Sequence, residues 1–265
     1  MTILKAFLLT LLLFLITGFL QIGLTYTLIL FDNYYEFSSI HNAIVSIISY
    51  LTAYLLIFKF FWKEKLKLKE TLNFCHIKHD KLLYIVLIIF GLHLFDKPFW
   101  DINNIYDYFI YSEIKLSAKN YDGFSVYHSI RLVSILIISP IFEELFFRKF
   151  LLKKLFEKYS LNISIVLSSL LFSLIHWETL NNLIPTFLFG IISGLIFIKT
   201  QRIVYSILMH FLFNLIIQLL YISDFPLDLY LDNLQFNSSY WLISLFGGFL
   251  ASFGVYRILK KTSKH

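Results

Sequence analysis

Apolar runs recur from one end of the chain to the other, punctuated by short charged clusters, and several reach the roughly 20 residues a helix needs to cross a hydrocarbon core. They predict helical spans at 6–31, 43–62, 82–95, 129–151, 162–177, 183–198, 203–222 and 240–258. The third is the weakest, because a helix of that length rises about 21 Å, short of a core about 30 Å thick. The longest interruption is 96–128, where Trp100, Tyr106, Tyr108, Phe109, Tyr111 and Tyr121 stand among Asp96, Asp101, Asp107 and Asp122. Trp and Tyr favour the membrane–water boundary, so this stretch is expected along the outer interface, without a catalytic role. No soluble domain, low-complexity linker or internal repeat breaks the pattern.

Charge decides the number of crossings. With eight spans and both termini in the cytoplasm, all but four of the 23 Lys and Arg fall on the inner side, the exceptions being Lys97, Lys115, Lys119 and Arg131. The inner set includes Lys63, Lys65, Lys67, Lys69, Lys78 and Lys81 after the second span, and Lys149, Lys153, Lys154 and Lys158 after the fourth. Were the third stretch not to cross, the basic 63–81 loop would face outward, against the bias of Lys and Arg toward cytoplasmic loops. The expected fold class is all-α: a polytopic membrane helical bundle of about eight transmembrane helices, multi-pass in the cell membrane with the lipid bilayer around it.

Composition agrees, since 58% hydrophobic and 19% aromatic residues lie outside the soluble globular range. The net charge of +6 is then a topology signal, and no basic surface domain exists to engage nucleic acid. The single cysteine, Cys75, excludes a disulfide framework and a cysteine-rich metal site. The first apolar stretch exceeds the roughly 7–15 residues of a signal-peptide core and no small-residue cleavage site follows, so it reads as a retained helix.

The unusual polar residues fall in the spans from 129 to 222. In SPIFEELFFRKF, residues 139–150, two glutamates and an arginine interrupt an apolar run, at about 2.5–3.5 kcal/mol per acid near a bilayer centre. Glu144 and Arg148 are four apart, share a helix face and can pair, while Glu143 points about 100° away and is free to face a cavity. Pro140, one turn earlier, removes a backbone donor beside the acids. FSLIH at 172–176 sets Phe172 and His176 on one face; a lone histidine at a helix end is usually structural. HFLFN at 210–214 stacks His210 and Asn214, an inward polar stripe or glue between helices. Gly190 and Gly194 form a GxxxG suited to close helix packing, and Glu178 reads as a solvated helix end. Together these residues supply a base, metal-capable ligands and hydrogen-bond donors, the inventory for activating a water and stabilising an oxyanion.

EELFFR at 143–148, FSLIH at 172–176 and HFLFN at 210–214 resemble, in order, the three motifs of the CAAX protease and bacteriocin-processing family of intramembrane proteases, also called CPBP or Abi. The resemblance covers about 130 to 220, and Lys149 stands where relatives often carry glycine. It implies an eight-span bundle with a polar site near the cytoplasmic side, and a layout of N-terminal helices with an outer loop (1–128), a catalytic core (129–222) and a last loop and helix (223–265). It further implies that Glu143 with His176 polarises the attacking water, that His210 and Asn214 stabilise the oxyanion or help hold a metal, and that Glu144 with Arg148 orients the helix. The family name leans the reading toward a metalloprotease, with a divalent metal such as zinc held by Glu143, His176 and His210, although the same residues could work without metal.

The function so implied is an intramembrane endopeptidase hydrolysing a peptide bond of a membrane-associated peptide or protein. A non-catalytic immunity or regulatory protein, binding a bacteriocin or a sensor kinase, is the competing reading, and a proton-relaying transporter a third. Intact Glu143 and His210 favour the enzyme. The HExxH, GxGD and GxSG signatures of other membrane proteases are absent. Abundant Phe, Ile, Lys and Asn suggest a bacterial source, where prenylated CAAX proteins are not the expected substrates.

Overall fold

The computed structural model describes residues 1–32, 39–62, 71–74, 77, 79–112, 125–177, 180–223, 230–231 and 233–262. Lys63, Lys65, Lys67, Lys69, Cys75, His76, Lys78, Lys115, Lys119, Tyr121, Asp122, Glu178 and His265 lie outside the described residues. Every regular element among those described is helical. In chain order they are α1 (Ile3–Asp32), α2 (Ser39–Phe61), α3 (His79–Trp100), α4 (Ile102–Tyr111), α5 (126–156), α6 (Leu161–Leu174), α7 (Leu183–Thr200), α8 (Ile203–Ser223) and α9 (Ser238–Thr262). Each of the eight apolar runs falls on one of these helices, with ends displaced by up to five residues. By length and composition α1, α2, α3, α7, α8 and α9 are long and apolar enough to cross a membrane.

The third helix corrects the expectation of a short span. It runs 22 residues, because Asp96, Lys97 and Pro98, which look like a stop in sequence, sit inside its last turns. A proline there forfeits one backbone bond at the helix end, where continuation is no longer needed. Two acids of this region, Asp96 and Asp101, are buried rather than exposed. Lys97 Nζ donates to Asp101 Oδ1 at 2.9 Å, and Tyr240 Oη on α9 donates to Asp101 Oδ2 at 2.7 Å. Exposed aromatic side chains are found one element later, on α4, at Tyr106, Phe109 and Tyr111. Among the helices on the eight apolar runs the short one is α6, with 14 residues.

Contacts at the two ends of the bundle show the alternation of direction. At one end the Met1 amino group donates to Lys154 O at 2.7 Å and Arg202 donates to Asn73 O at 3.1 Å. At the other, Asn181 Nδ2 donates to Trp100 O at 3.1 Å. Between them α5 is the axial helix, with Phe146, Phe147, Leu151 and Leu152 fully buried among α2, α6, α7 and α8.

Two crossings need missing side chains. α3 and α9 approach so closely that a Cβ on Gly247 would lie 2.6 Å from Leu94 Cβ and 2.7 Å from Gly91 O. On α7, a Cβ at Gly190 would meet Ser169 Cβ of α6 at 2.9 Å, so the GxxxG face is spent on packing within the chain. Gly247→Ala is therefore expected to destabilise the bundle by about 1–3 kcal/mol. Gly18→Ala on α1, where an added Cβ meets nothing within 4 Å, leaves the unfolding temperature in detergent unchanged or slightly raised.

Candidate active site

α5 does not wind evenly. Ser134–Ile138 and Leu145–Leu152 are π-helical and bracket the α-helical turn Ser139–Glu144 that carries both carboxylates. A π turn advances the backbone register by one residue and strands a carbonyl, a device common at functional sites. Here Ser139 N–H reaches back to Ser134 O, so Ile135 O would next accept from residue 140, which is proline and has no N–H. Asn214 on α8 fills the gap, donating from Nδ2 to Ile135 O at 2.8 Å. One amide hydrogen of Asn214 is thus committed to holding α8 against α5 rather than directed at the carboxylates.

The two glutamates divide as their spacing predicts. Glu144 is wholly buried and saturated: Arg148 Nε lies 3.1 Å and Ser193 Oγ 2.7 Å from Oε2, and His210 Nδ1 lies 3.1 Å from Oε1. Arg148 is buried too and lays its guanidinium over the Phe172 ring, 4.2 Å from the centroid, so its charge is held by a carboxylate edge-on and an aromatic face. Glu143, 5% exposed, has another environment. Tyr50 Oη on α2 donates to its Oε1 at 2.8 Å, while Oε2 has no hydrogen-bond partner. That free oxygen faces His176 Nε2 at 4.0 Å and His210 Nε2 at 3.9 Å.

Hydrogen bonds on the far side of each ring settle the tautomers. His176 Nδ1 is 2.9 Å from Phe172 O, one of the carbonyls that the end of α6 leaves unpaired, and a carbonyl can only accept, so Nδ1 carries the proton. His210 Nδ1 faces the Glu144 carboxylate and carries its proton for the same reason. In the neutral rings both Nε2 atoms are then lone pairs. Glu143 Oε2 and two imidazole nitrogens, all acceptors, point at one another with no hydrogen between them. Such a grouping calls for a species that brings protons or positive charge. Phe172 walls it, with its ring centroid 4.9 Å from that of His176 and 5.8 Å from that of His210.

The donor chemistry suits a divalent cation as well as a water, but the spacing does not close on one. Adjacent ligands of a tetrahedral zinc sit about 3.3 Å apart at ordinary bond lengths, and the separations of 3.9 and 4.0 Å from Glu143 Oε2 to the two imidazoles are wider. Among the described residues no group of three or more His, Cys, Asp or Glu is gathered tightly enough to hold a metal ion.

Of the six residues expected from sequence, Glu143, Glu144, Arg148, His176 and His210 form one connected cluster, with Asn214 bracing its helix. Two members went unforeseen. Tyr50 comes from α2, among helices whose few polar groups suggested no chemistry, and Ser193 sits inside the GxxxG face of α7. Their only sequence signal is a hydroxyl at mid-helix in an apolar run.

Residues 126–216, about a third of the chain, match the family model described as type II CAAX prenyl endopeptidase Rce1-like. The match takes in α5 to α8 with all three motifs and leaves α2 outside. No curated protein and no solved structure matches the chain. The ordered motifs, their meeting on α5, α6 and α8, and this match support a multi-pass membrane protein whose residues 126–216 are similar to the Rce1-like domain of the CPBP/CAAX family of intramembrane proteases.

Proposed function

We propose that the chain is an intramembrane endopeptidase that hydrolyses a peptide bond of a membrane-associated peptide or protein, using a water activated by Glu143 and the facing histidines. One observation carries this reading: a buried carboxylate oxygen without a partner, set between two imidazole lone pairs. A water there has two O–H groups to give. Glu143 Oε2 takes one proton as the water oxygen attacks the scissile carbonyl carbon and the carbonyl electron pair moves to oxygen. His210, carrying at Nε2 a proton taken up from solvent as substrate binds and returned on product release, donates to that oxyanion, with Glu144 balancing the imidazolium from behind. The second water hydrogen stays on the attacking oxygen and leaves as the proton of the new carboxyl group. Collapse of the intermediate re-forms the carbonyl and expels the amine, which leaves with the proton held by Glu143.

Access is from the His176 side, where the side chain is 28% exposed. Residues on either side of it border an apolar cavity of about 260 Å³ between α1 and α6, lined by Phe7, Leu11, Phe14, Leu171, Leu174 and Trp177. Such a lining suits an apolar segment or chain of a membrane-embedded substrate. The prenylated CAAX peptides named in the family description make the first probe.

Purified protein is expected to cleave a quenched fluorescent peptide with a farnesylated CAAX terminus, or a peptide found to accumulate in membranes of cells lacking the protein. Cleavage is expected to persist in chelator without stoichiometric metal. Loss in chelator and return with zinc would replace the water–glutamate–histidine scheme by ligation through Glu143, His176 and His210. An absence of any cleaved membrane peptide would sink the protease reading.

A further inference from the structure

Glu143 has two oxygens, and the proposed reaction needs one of them. We propose that Tyr50 is a positioning residue for Glu143: its phenolic O–H occupies Oε1 and thereby makes Oε2, the oxygen facing both histidines, the atom that receives the water proton. The inference rests on the hydrolytic reading above and adds to the site a residue of α2, a helix outside the matched segment 126–216.

A glutamate side chain has three torsions, and an ionised carboxylate offers about four acceptor positions. Without a second anchor it can rotate its free oxygen away from the histidines. Tyr50 Oη at 2.8 Å from Oε1 is a bond to a charged group in a buried setting, the kind that holds orientation as well as energy. The phenol is itself held: its ring lies 4.6 Å from that of Tyr54, and Tyr54 packs edge-on against Phe142 and Phe146, neighbours of Glu143 on α5. One turn before Tyr50 on α2, Ser46 accepts from Gln21 Nε2 of α1 at 3.1 Å, so α2 is tied to α1 as well as to α5 near the level of this tyrosine. The site is thus not closed within α5 to α8. The N-terminal helices supply the anchor that decides which carboxylate oxygen is used.

A merely structural tyrosine and a positioning tyrosine differ in what Tyr50→Phe does. The phenylalanine keeps the ring contacts and loses only the hydroxyl. On the full-length protein and the farnesylated probe, kcat is expected to fall about 10- to 100-fold, the worth of a hydrogen bond to a charged group, with KM changed by no more than about threefold. In a Glu143→Gln background the same substitution should change nothing further, because its effect passes through the carboxylate. Tyr54→Phe, which removes a neighbouring hydroxyl that makes no hydrogen bond to Glu143, serves as the control and keeps wild-type kcat.

A second arm does not depend on turnover. With ¹³C-labelled glutamate carboxyls, the infrared carboxylate band that disappears in Glu143→Gln should shift in Tyr50→Phe and stay in place in Tyr54→Phe. Additive losses in the double variant, an equal loss in Tyr54→Phe, or an unmoved infrared band would each overturn the assignment while leaving the protease reading standing. Failure of the wild type to cleave, with the band shifted as expected, would instead overturn the hydrolytic reading and with it the purpose given to Tyr50.

Discussion

Glu143→Gln is expected to cut turnover by about 10²–10⁴ while the protein stays folded and reaches normal membrane abundance. The amide keeps the volume of the acid and the Oε1 that accepts from Tyr50. What it loses is a basic oxygen facing His176 and His210 at 4.0 and 3.9 Å. In its place an NH₂ group can point at two imidazole lone pairs, so unfolding should come no earlier than in the wild type, and a buried charge has been removed rather than stranded. A binding scaffold behaves otherwise, since a near-isosteric amide preserves its surface. The check is complementation of a deletion strain with membrane levels measured alongside; full function at normal abundance from Glu143→Gln would falsify the enzyme.

Arg148→Ala is expected to act on stability first, by about 3–5 kcal/mol, the usual loss when one partner of a buried pair is taken away. Glu144 then keeps Ser193 and His210 but loses the guanidinium at 3.1 Å. A large side chain also vanishes from against Phe172, leaving a hole beside both histidines. Arg148→Lys should recover little, because an ammonium neither spreads over the ring nor presents an Nε at that position. Adding Glu144→Gln to Arg148→Ala should restore part of the stability, since the neutral amide can still accept from Ser193 and strands no charge. Thermal unfolding in detergent decides it: a double variant weaker than Arg148→Ala alone would mean that the cavity, and not the stranded carboxylate, sets the cost.

The helices were legible because bilayer-length apolar runs interrupted by lysines allow few foldings. Their phase was not. A helix apolar on all sides carries no stripe, so nothing in SILIISPIFEELFFRKF marks the two π segments that bracket Glu143. Only Pro140 hinted at a disturbed register, and its answer, Asn214, lies 79 positions beyond Ile135, the residue whose carbonyl it fills. The acid, the arginine and the histidines stood out since each is costly in an apolar run. Tyr50 and Ser193 did not, because a hydroxyl in a membrane helix is ordinary until its partner is known, and their partners are 93 and 49 positions distant. Asp96 and Lys97 misled in the other direction: charges that look like the end of a helix were buried within it, with Lys97 tied to Asp101.

Hydrolysis in lipid consumes a reactant that lipid excludes. α6 stops at Leu174, about 21 Å along its axis, roughly 9 Å short of what a ~30 Å hydrocarbon core requires. The chain turns there, and the backbone of residues 175–177 cannot face hydrocarbon with its polar groups unanswered. His176, at the turn, takes up one of the carbonyls the helix leaves behind and shows part of its ring to the outside. One truncated helix thereby leaves polar backbone and the exposed edge of the His176 ring at a level where a full-length span would present only side chains, and the proposed hydrolysis would draw its water through that break rather than through hydrocarbon.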